Sequence, residues 1–384
     1  MKALVFERSL PRYAAARLAG SFVPGAGARV GPLRLTDLDA PDLPGPGWHR
    51  VRPRLAGICG SDLATVDGHS SRYFEPVVSF PFVPGHEVVG ELDDGTRVVL
   101  EPILTCAARG VRPPCDWCQN DQPNRCERTA FGHLEPGLQT GYCAETGGGW
   151  SVSFVAHESQ LHPVPDDMSD EAAVMVEPAA SAVHAARVSV ATEFAVIGAG
   201  TLGLCTIAAL RQFETPRVVI AAAKHPAQQD LARQLGADIV VEPAALPRAV
   251  RRAVPRSLVA GDQLTCGVDT VVDCVGSEES LALSLQVVAP GGTVVLVGMP
   301  GRVSIDLTSL WHREVSVQGA YTYTKDDFAR SFELVQDARL DRLVSALYPL
   351  DRWQEAIEHA AGAGRRGAVK VAFDLRSERG RSVD

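Results

Sequence analysis

Residues 194–203 read Phe194-Ala195-Val196-Ile197-Gly198-Ala199-Gly200-Thr201-Leu202-Gly203, and this stretch decides the fold. Four apolar residues form a buried strand. The glycines then fall in the pattern G-x-G-x-x-G, and Thr201 to Phe213 continues as a helix. A hexamer of this kind means little alone, but a strand before it and a helix after it make the context of a dinucleotide site. Gly198 permits a tight turn, Gly200 lets the backbone approach a pyrophosphate, and Gly203 lets the helix pack on the strand. The N–H groups of Thr201, Leu202 and their neighbours then face the phosphates from the helix N-terminus.

Outward from this loop, strands and helices alternate. A second strand spans Arg217–Ala222, and the helix beginning at Ala227 closes at Gly236. Further strands are expected at Thr270–Asp273 and Thr293–Val297. Such alternation implies a parallel sheet with helices on both faces. Where the second strand ends, a site for NAD usually places a carboxylate for the ribose hydroxyls. Here the residues are Ala223, Lys224 and His225. Lys224 is able to neutralise a 2′-phosphate, so NADP is favoured slightly over NAD.

The first 165 or so residues differ in character. They are rich in Gly and Pro, with short β-like runs such as Arg97–Leu100 and Ser153–Ala156 and almost no long helical periodicity. They read as an irregular, mostly β domain. Asp170–Ala186 looks helical. Beyond Gly319 the alternation stops, leaving amphipathic helices near Asp326–Gln336 and Asp351–Ala361, a strand at Ala368–Phe373, and a polar, frayed tail from Arg376.

The chain has 384 residues, enough for two domains, and a formal net charge of −9. That charge argues against nucleic acid or an anionic membrane as partner. The basic residues Arg248, Arg251, Arg252 and Arg256 read as a solvated helix face. No apolar run is long enough for a membrane span, and the N-terminus does not read as a signal peptide, so a soluble, cytoplasmic location is expected. In that compartment the nine cysteines call for a role other than disulfides, and the four between 106 and 126 suggest a metal.

Cys59 lies in Gly57-Ile58-Cys59-Gly60-Ser61-Asp62, and His86 in Gly85-His86-Glu87-Val88-Val89-Gly90. A thiolate and an imidazole in one β-rich domain are plausible zinc ligands. In this order before the glycine loop, the two motifs resemble those of the zinc-containing medium-chain dehydrogenases. The similarity runs from Lys2–Val5 through Pro46–His49 to Gly291-Gly292 and the last strand.

The resemblance implies a GroES-like β-rich catalytic domain over 1–178, a doubly wound Rossmann domain over 179–319, and a return to the catalytic domain over 320–384. It implies a catalytic zinc on Cys59, His86 and Glu177. The pair Glu177-Pro178 is similar to the sorbitol and glucose dehydrogenase branch. Glu87 is implied to be a second carboxylate near the metal, and Asp62 to orient His86. Ser61 matches the hydroxyl that meets the substrate oxygen. Relatives often carry a His where this chain has Ala64; His69 is a candidate substitute, although a surface-loop role is favoured for it. Lys370 falls where relatives have an Arg at the cofactor pyrophosphate.

The resemblance also implies a structural zinc lobe at about 104–128. Cys115, Cys118 and Cys126 fit the spacing C-x2-C-x7-C. Arg112 stands where the first ligand is expected, and Cys106 lies six residues earlier, so the segment Ala107–Pro113 must loop out to deliver it. Four thiolates close a tetrahedral structural site.

The implied activity is interconversion of a secondary alcohol and a ketone by hydride transfer with NAD(P), on a polyol, sugar or cyclitol, in a homodimer or homotetramer. A zinc-independent enone or quinone reductase is the alternative, but such relatives lack the Cys, His and Glu set. Phe131, Trp150 and Trp311 are candidate pocket aromatics, though plain packing is the commoner role.

Overall fold

The computed structural model describes residues 1–188, 190–261, 263–298 and 301–377. Of the tail expected to fray, residues 378–384 lie outside them. No helix among the described residues is long and apolar enough to cross a membrane. The chain forms two compact units. The first comprises Met1–Glu177, Thr324–Asp326 and Arg339–Asp384; the second comprises Pro178–Tyr323 and Asp327–Ala338.

The second unit carries a six-stranded parallel sheet. Its order is Ile239–Val241, Val218–Ala222, Glu193–Ile197, Val268–Asp273, Val288–Leu296 and Ser316–Gly319. In chain order this is 3-2-1-4-5-6, the doubly wound arrangement, with Ile197 paired to Ala222 on one side and Asp273 on the other. The central strands are fully buried, which is why they read as continuous apolar runs rather than alternating ones. The helix Thr201–Phe213 follows the first strand, and eight consecutive residues from Gly203 to Leu210 are buried.

The helix Lys325–Asp337 corrects the expected boundary at 320. All but its first two residues belong with the second unit, so the return to the first unit begins at Arg339. Its inner face buries Phe328, Ser331, Leu334 and Val335. Asp327, almost fully buried, bonds His184 Nδ1 at 2.8 Å and Arg187 Nη1 at 2.5 Å on the helix Val176–Arg187. A carboxylate buried against this imidazole and guanidinium anchors the helix there.

The first unit is built on the strand Trp48–Gly57, ten residues long. One end of it pairs Phe154–His157, and the other lies between Val88–Glu91 and Lys370–Asp374. Arg97–Leu100, Leu161–Pro163 and Val344–Tyr348 complete the sheet. Its core joins Leu4, Phe6, Val51, Val88, Trp150, Phe154, Val371 and Phe373. Trp150 belongs to this packing, fully buried with Nε1 donating to the carbonyl of Gly57, whereas Phe131 and Trp311 are exposed.

The first helix was not foreseen. Leu10–Phe22 forms thirteen residues of α-helix between the first strand, Lys2–Phe6, and its partner Leu33–Asp37. Its buried residues are small, Ala16 and Gly20, while Leu10, Leu18 and Phe22 face solvent. The apolar periodicity that reveals most surface helices is therefore inverted here. The helix Asp170–Ala186 read from sequence is in fact two, Asp170–Ala173 and Val176–Arg187.

Candidate metal centre and dinucleotide loop

Cys59 is the N-cap of the helix Gly60–Val66, which begins where the long strand ends. Its extended backbone, with φ −86° and ψ 157°, turns the chain from strand to helix. Asp62, in the first turn, reaches back to accept from Cys59 N–H through Oδ2 at 3.0 Å. Such a carboxylate satisfies one of the helix's orphan N–H groups and sits at the positive end of its dipole. His86 precedes the strand Val88–Glu91, which pairs with the long strand, so the pairing brings His86 and Glu87 beside Cys59.

A sulfur of Cys59, a nitrogen of His86 and a carboxylate oxygen of Glu87 all lie within 4.8 Å of one another. His86 and Glu87 are buried, at 4% and 1% exposure. His86 Nδ1 has no hydrogen bond of good geometry, and it faces Asp62 Oδ1 at 3.4 Å. Nδ1 is thereby directed at a carboxylate, leaving Nε2 as the ring nitrogen for a cation. Burial alone pushes the imidazole pKa down, but Asp62 and then Cys59 outweigh it and raise it well above its ordinary value. The donor set thus draws in a positive charge, which the chemistry of a divalent ion fits.

Glu177, in the first turn of Val176–Arg187, is buried at 6% exposure. It is not one of the three residues clustered within 4.8 Å. It does act on Lys370: burial lowers the ammonium's pKa, while Glu87, Cys59 and Glu177 together raise it.

Lys370 itself departs from expectation. Rather than being open to a pyrophosphate, it is 2% exposed and bonds both oxygens of Glu87, at 2.7 and 2.6 Å. The strand Lys370–Asp374 pairs antiparallel with the long strand, and that pairing carries the ammonium to Glu87. Gly57 makes room for the pair, since a Cβ there would stand 2.0 Å from Glu87 Oε2. Ser61 is partly buried in the same first turn as Asp62. His69 is exposed and contacts Ser21 Oγ at 3.3 Å, in keeping with a surface loop.

The four lobe cysteines converge despite their unusual spacing. Their sulfurs lie within 4.8 Å of one another, with Cys106 and Cys126 3.8 Å apart. Arg109, inside the looped-out segment and fully buried, shapes this turn. Its guanidinium donates to the carbonyls of Leu104, Phe131, Leu134, Glu135 and Gly137. These bonds tie the chain before Cys106 to the chain after Cys126. Among the thiols, the hydrogen bond from Cys118 lowers Cys126, and the same bond raises Cys118. One sulfur is thus poised as thiolate with the other three around it, a donor set suited to closed tetrahedral zinc.

In the second unit, Gly198 has φ +92° and Gly200 is the N-cap of Thr201–Phe213. A Cβ at Gly203 would stand 1.8 Å from the Gly198 carbonyl oxygen, whereas one at Gly200 would meet nothing within 4 Å. The loop is closed against its own helix and open where a phosphate would lie. Ala223 is buried, and its N–H donates to the carbonyl of Val241. Lys224 is exposed, and the nearby positive charge helps lower the pKa of Glu279, after that residue's own backbone and Ser277 hydrogen bonds. His225 is the N-cap of Pro226–Gln234.

Comparison with known proteins accords with this geometry. Residues 45–166 match the family described as alcohol dehydrogenase GroES-like domain, and residues 201–337 match the zinc-binding dehydrogenase family. The sorbitol dehydrogenase of Arabidopsis thaliana is 31% identical over 352 residues, covering 87% of this chain and 90% of the relative. The L-idonate 5-dehydrogenase of Vitis vinifera is 28% identical over 359 residues, covering 89% and 92%. Among solved structures, 2R,3R-butanediol dehydrogenase from Bacillus subtilis superposes with a TM-score of 0.69 at 25% identity, covering 89% of this chain and 96% of that one.

Proposed function

This chain belongs to the zinc-binding medium-chain alcohol dehydrogenases, in the sorbitol dehydrogenase-like branch, and on that footing we propose that it interconverts a polyol, sugar or cyclitol and the corresponding ketone. The observation that carries the reading is the gathering of half-buried Cys59 with buried His86 and Glu87 at the head of one helix, beside the long strand that anchors its unit.

Cys59, His86 and Glu177 are the residues to hold the catalytic zinc, with Lys370 keeping Glu87 paired nearby. Cys106, Cys115, Cys118 and Cys126 hold the structural zinc. When bound, the catalytic zinc supplies Lewis acidity toward the substrate oxygen, and the nicotinamide supplies the hydride acceptor. Gly198, Gly200, Thr201, Leu202 and Gly203 receive the pyrophosphate, with Ala223, Lys224 and His225 beside the adenosine ribose. Ser61 holds the substrate hydroxyl proton. In the absence of a His at 64, that proton leaves through water rather than an imidazole. Asp62 keeps His86 in one tautomer.

Lys224 favours NADP, although its attraction to Glu279 tempers that preference. The relatives' substrates are sorbitol and L-idonate, both polyhydroxylated, which supports the same class here. A homodimer or homotetramer in the cytoplasm completes the proposal.

The test is a panel of polyols, sugars and cyclitols with NAD and with NADP, followed by nicotinamide absorbance, on protein of known zinc content. Turnover of a polyol that stops when Cys59→Ser removes the metal supports the reading. Turnover of enones by metal-free protein contradicts it.

A further inference from the structure

Tyr142 played no part in the sequence reading, yet its hydroxyl ends beside the metal centre. It is buried, and its Oη lies 3.4 Å from Asp62 Oδ1, the same oxygen that faces His86 Nδ1 at 3.4 Å. The rings of Tyr142 and His86 are 6.2 Å apart. Asp62 therefore accepts from Cys59 N on Oδ2 and from the Tyr142 hydroxyl on Oδ1, and the same Oδ1 faces His86 Nδ1. An ionised carboxylate only accepts, so the phenol proton points to Asp62.

Behind Tyr142 the contacts continue. Thr65 Oγ1 lies 3.3 Å from Tyr142 Oη and 2.8 Å from Ser70 Oγ. The inserted helix Leu10–Phe22 closes the line, because Tyr13 Oη donates to the Ser70 carbonyl. Burial raises the phenol pKa, so Tyr142 stays protonated, and therefore a donor, throughout the working range.

We infer that Tyr142 is a positioning residue for the metal centre: by donating to Asp62 Oδ1 it draws negative charge away from His86, and so sets how strongly that imidazole binds the metal. This rests on the zinc dehydrogenase reading. A carboxylate behind a ligating histidine raises the ring's basicity. A donor sharing the same carboxylate oxygen moderates that effect and leaves the metal a stronger Lewis acid.

The test is zinc release from the holoenzyme into excess chelator, in the kinetic phase that Cys59→Ser abolishes. Tyr142→Phe leaves Asp62 Oδ1 to His86 alone. It is expected to slow this phase about three- to tenfold, less than the roughly 10- to 100-fold by which loss of a partner bonded directly to a ligand alters metal affinity, because Tyr142 acts one group further out. The same variant lowers kcat for alcohol oxidation and leaves KM near wild type. Thr65→Val removes the contact behind the phenol and slows release by less. Asp62→Asn acts in the opposite sense and speeds it.

Release from Tyr142→Phe at the wild-type rate or faster overturns the inference, as does a slowing shared by Asp62→Asn. Protein that holds zinc and turns over alcohol while showing either result loses this inference alone. Protein with no zinc at Cys59 and no alcohol turnover loses the dehydrogenase reading itself, and this inference with it.

Discussion

Gly57→Ala is expected to be among the most damaging single-methyl additions in the first unit. A Cβ at this position lies 2.0 Å from Glu87 Oε2 and 3.0 Å from Glu87 Cβ. To reach ordinary van der Waals separation the carboxylate must retreat by about 1.4 Å. In a roomy site a glutamate would simply rotate, but Glu87 is 1% exposed and both its oxygens are held by Lys370, at 2.7 and 2.6 Å. A shift of that size carries at least one of the two bonds beyond hydrogen-bond range. Parting a buried ion pair leaves two uncompensated charges, a loss of about 3–5 kcal/mol.

The assay is urea unfolding of Gly57→Ala in the wild-type background and again in Glu87→Ala, where the clashing carboxylate is gone. A loss of that size in the first and under about 1 kcal/mol in the second fits the argument. An equal loss in both backgrounds refutes it, because the strain would then lie in the strand and not in the ion pair.

Other expectations follow from the same geometry. Gly203→Val drives its Cβ into the Gly198 carbonyl, 1.8 Å from the glycine's own ideal position, and should abolish nicotinamide cofactor binding by fluorescence titration while the zinc content stays at wild type. Asp170 is 5% exposed and is approached by Arg54 at 2.8 Å, Arg97 at 3.2 Å and Arg376 at 3.6 Å. Asp170→Asn should therefore destabilise the first unit by about 3–5 kcal/mol in chemical denaturation. Asp374 gives a pH-dependent term: burial raises its pKa, but bonds from Arg376 outweigh that and lower it. A depressed carboxyl stabilises above the ordinary carboxylate range and loses that contribution as pH falls through its folded value. Asp374→Asn should flatten the acid limb of the stability curve, and an unchanged limb argues against the pairing. Lys224→Ala should lower kcat/KM for NADP more than for NAD, whereas an equal loss for both would free Lys224 of any role at a 2′-phosphate.

What could be read from the sequence and what could not divide along physical lines. The glycine loop was legible because its requirement is steric and local: positive φ at Gly198 and no Cβ at Gly203. The central parallel strands were legible because burial on both faces makes them continuously apolar. The four lobe cysteines were legible as a set because four thiols so close in sequence match the donor set of a tetrahedral site, and their sulfurs do converge even with Cys106 displaced from its usual spacing. The part Arg109 plays in seating Cys106 was not, since carbonyl acceptors have no signature in side-chain sequence.

The helix Leu10–Phe22 escaped because its large apolar residues face outward and its packing face is Ala and Gly. Lys370 was assigned to the cofactor, but it pairs with Glu87 across 283 residues of chain, and only the strand register reveals that meeting. Tyr142 escaped for the same reason: an isolated tyrosine carries no motif, and its significance comes from the side chains that folding gathers around its hydroxyl.

A divalent ion held in the first unit by Cys59, His86 and Glu177 is the central proposal. Anomalous diffraction at the zinc absorption edge, on crystals of the protein purified without chelator, examines this most directly. Two peaks per chain are predicted, one bounded by those three side chains and one among the four lobe cysteines. A single peak confined to the lobe, with Cys59 and His86 touching no ion, would contradict it.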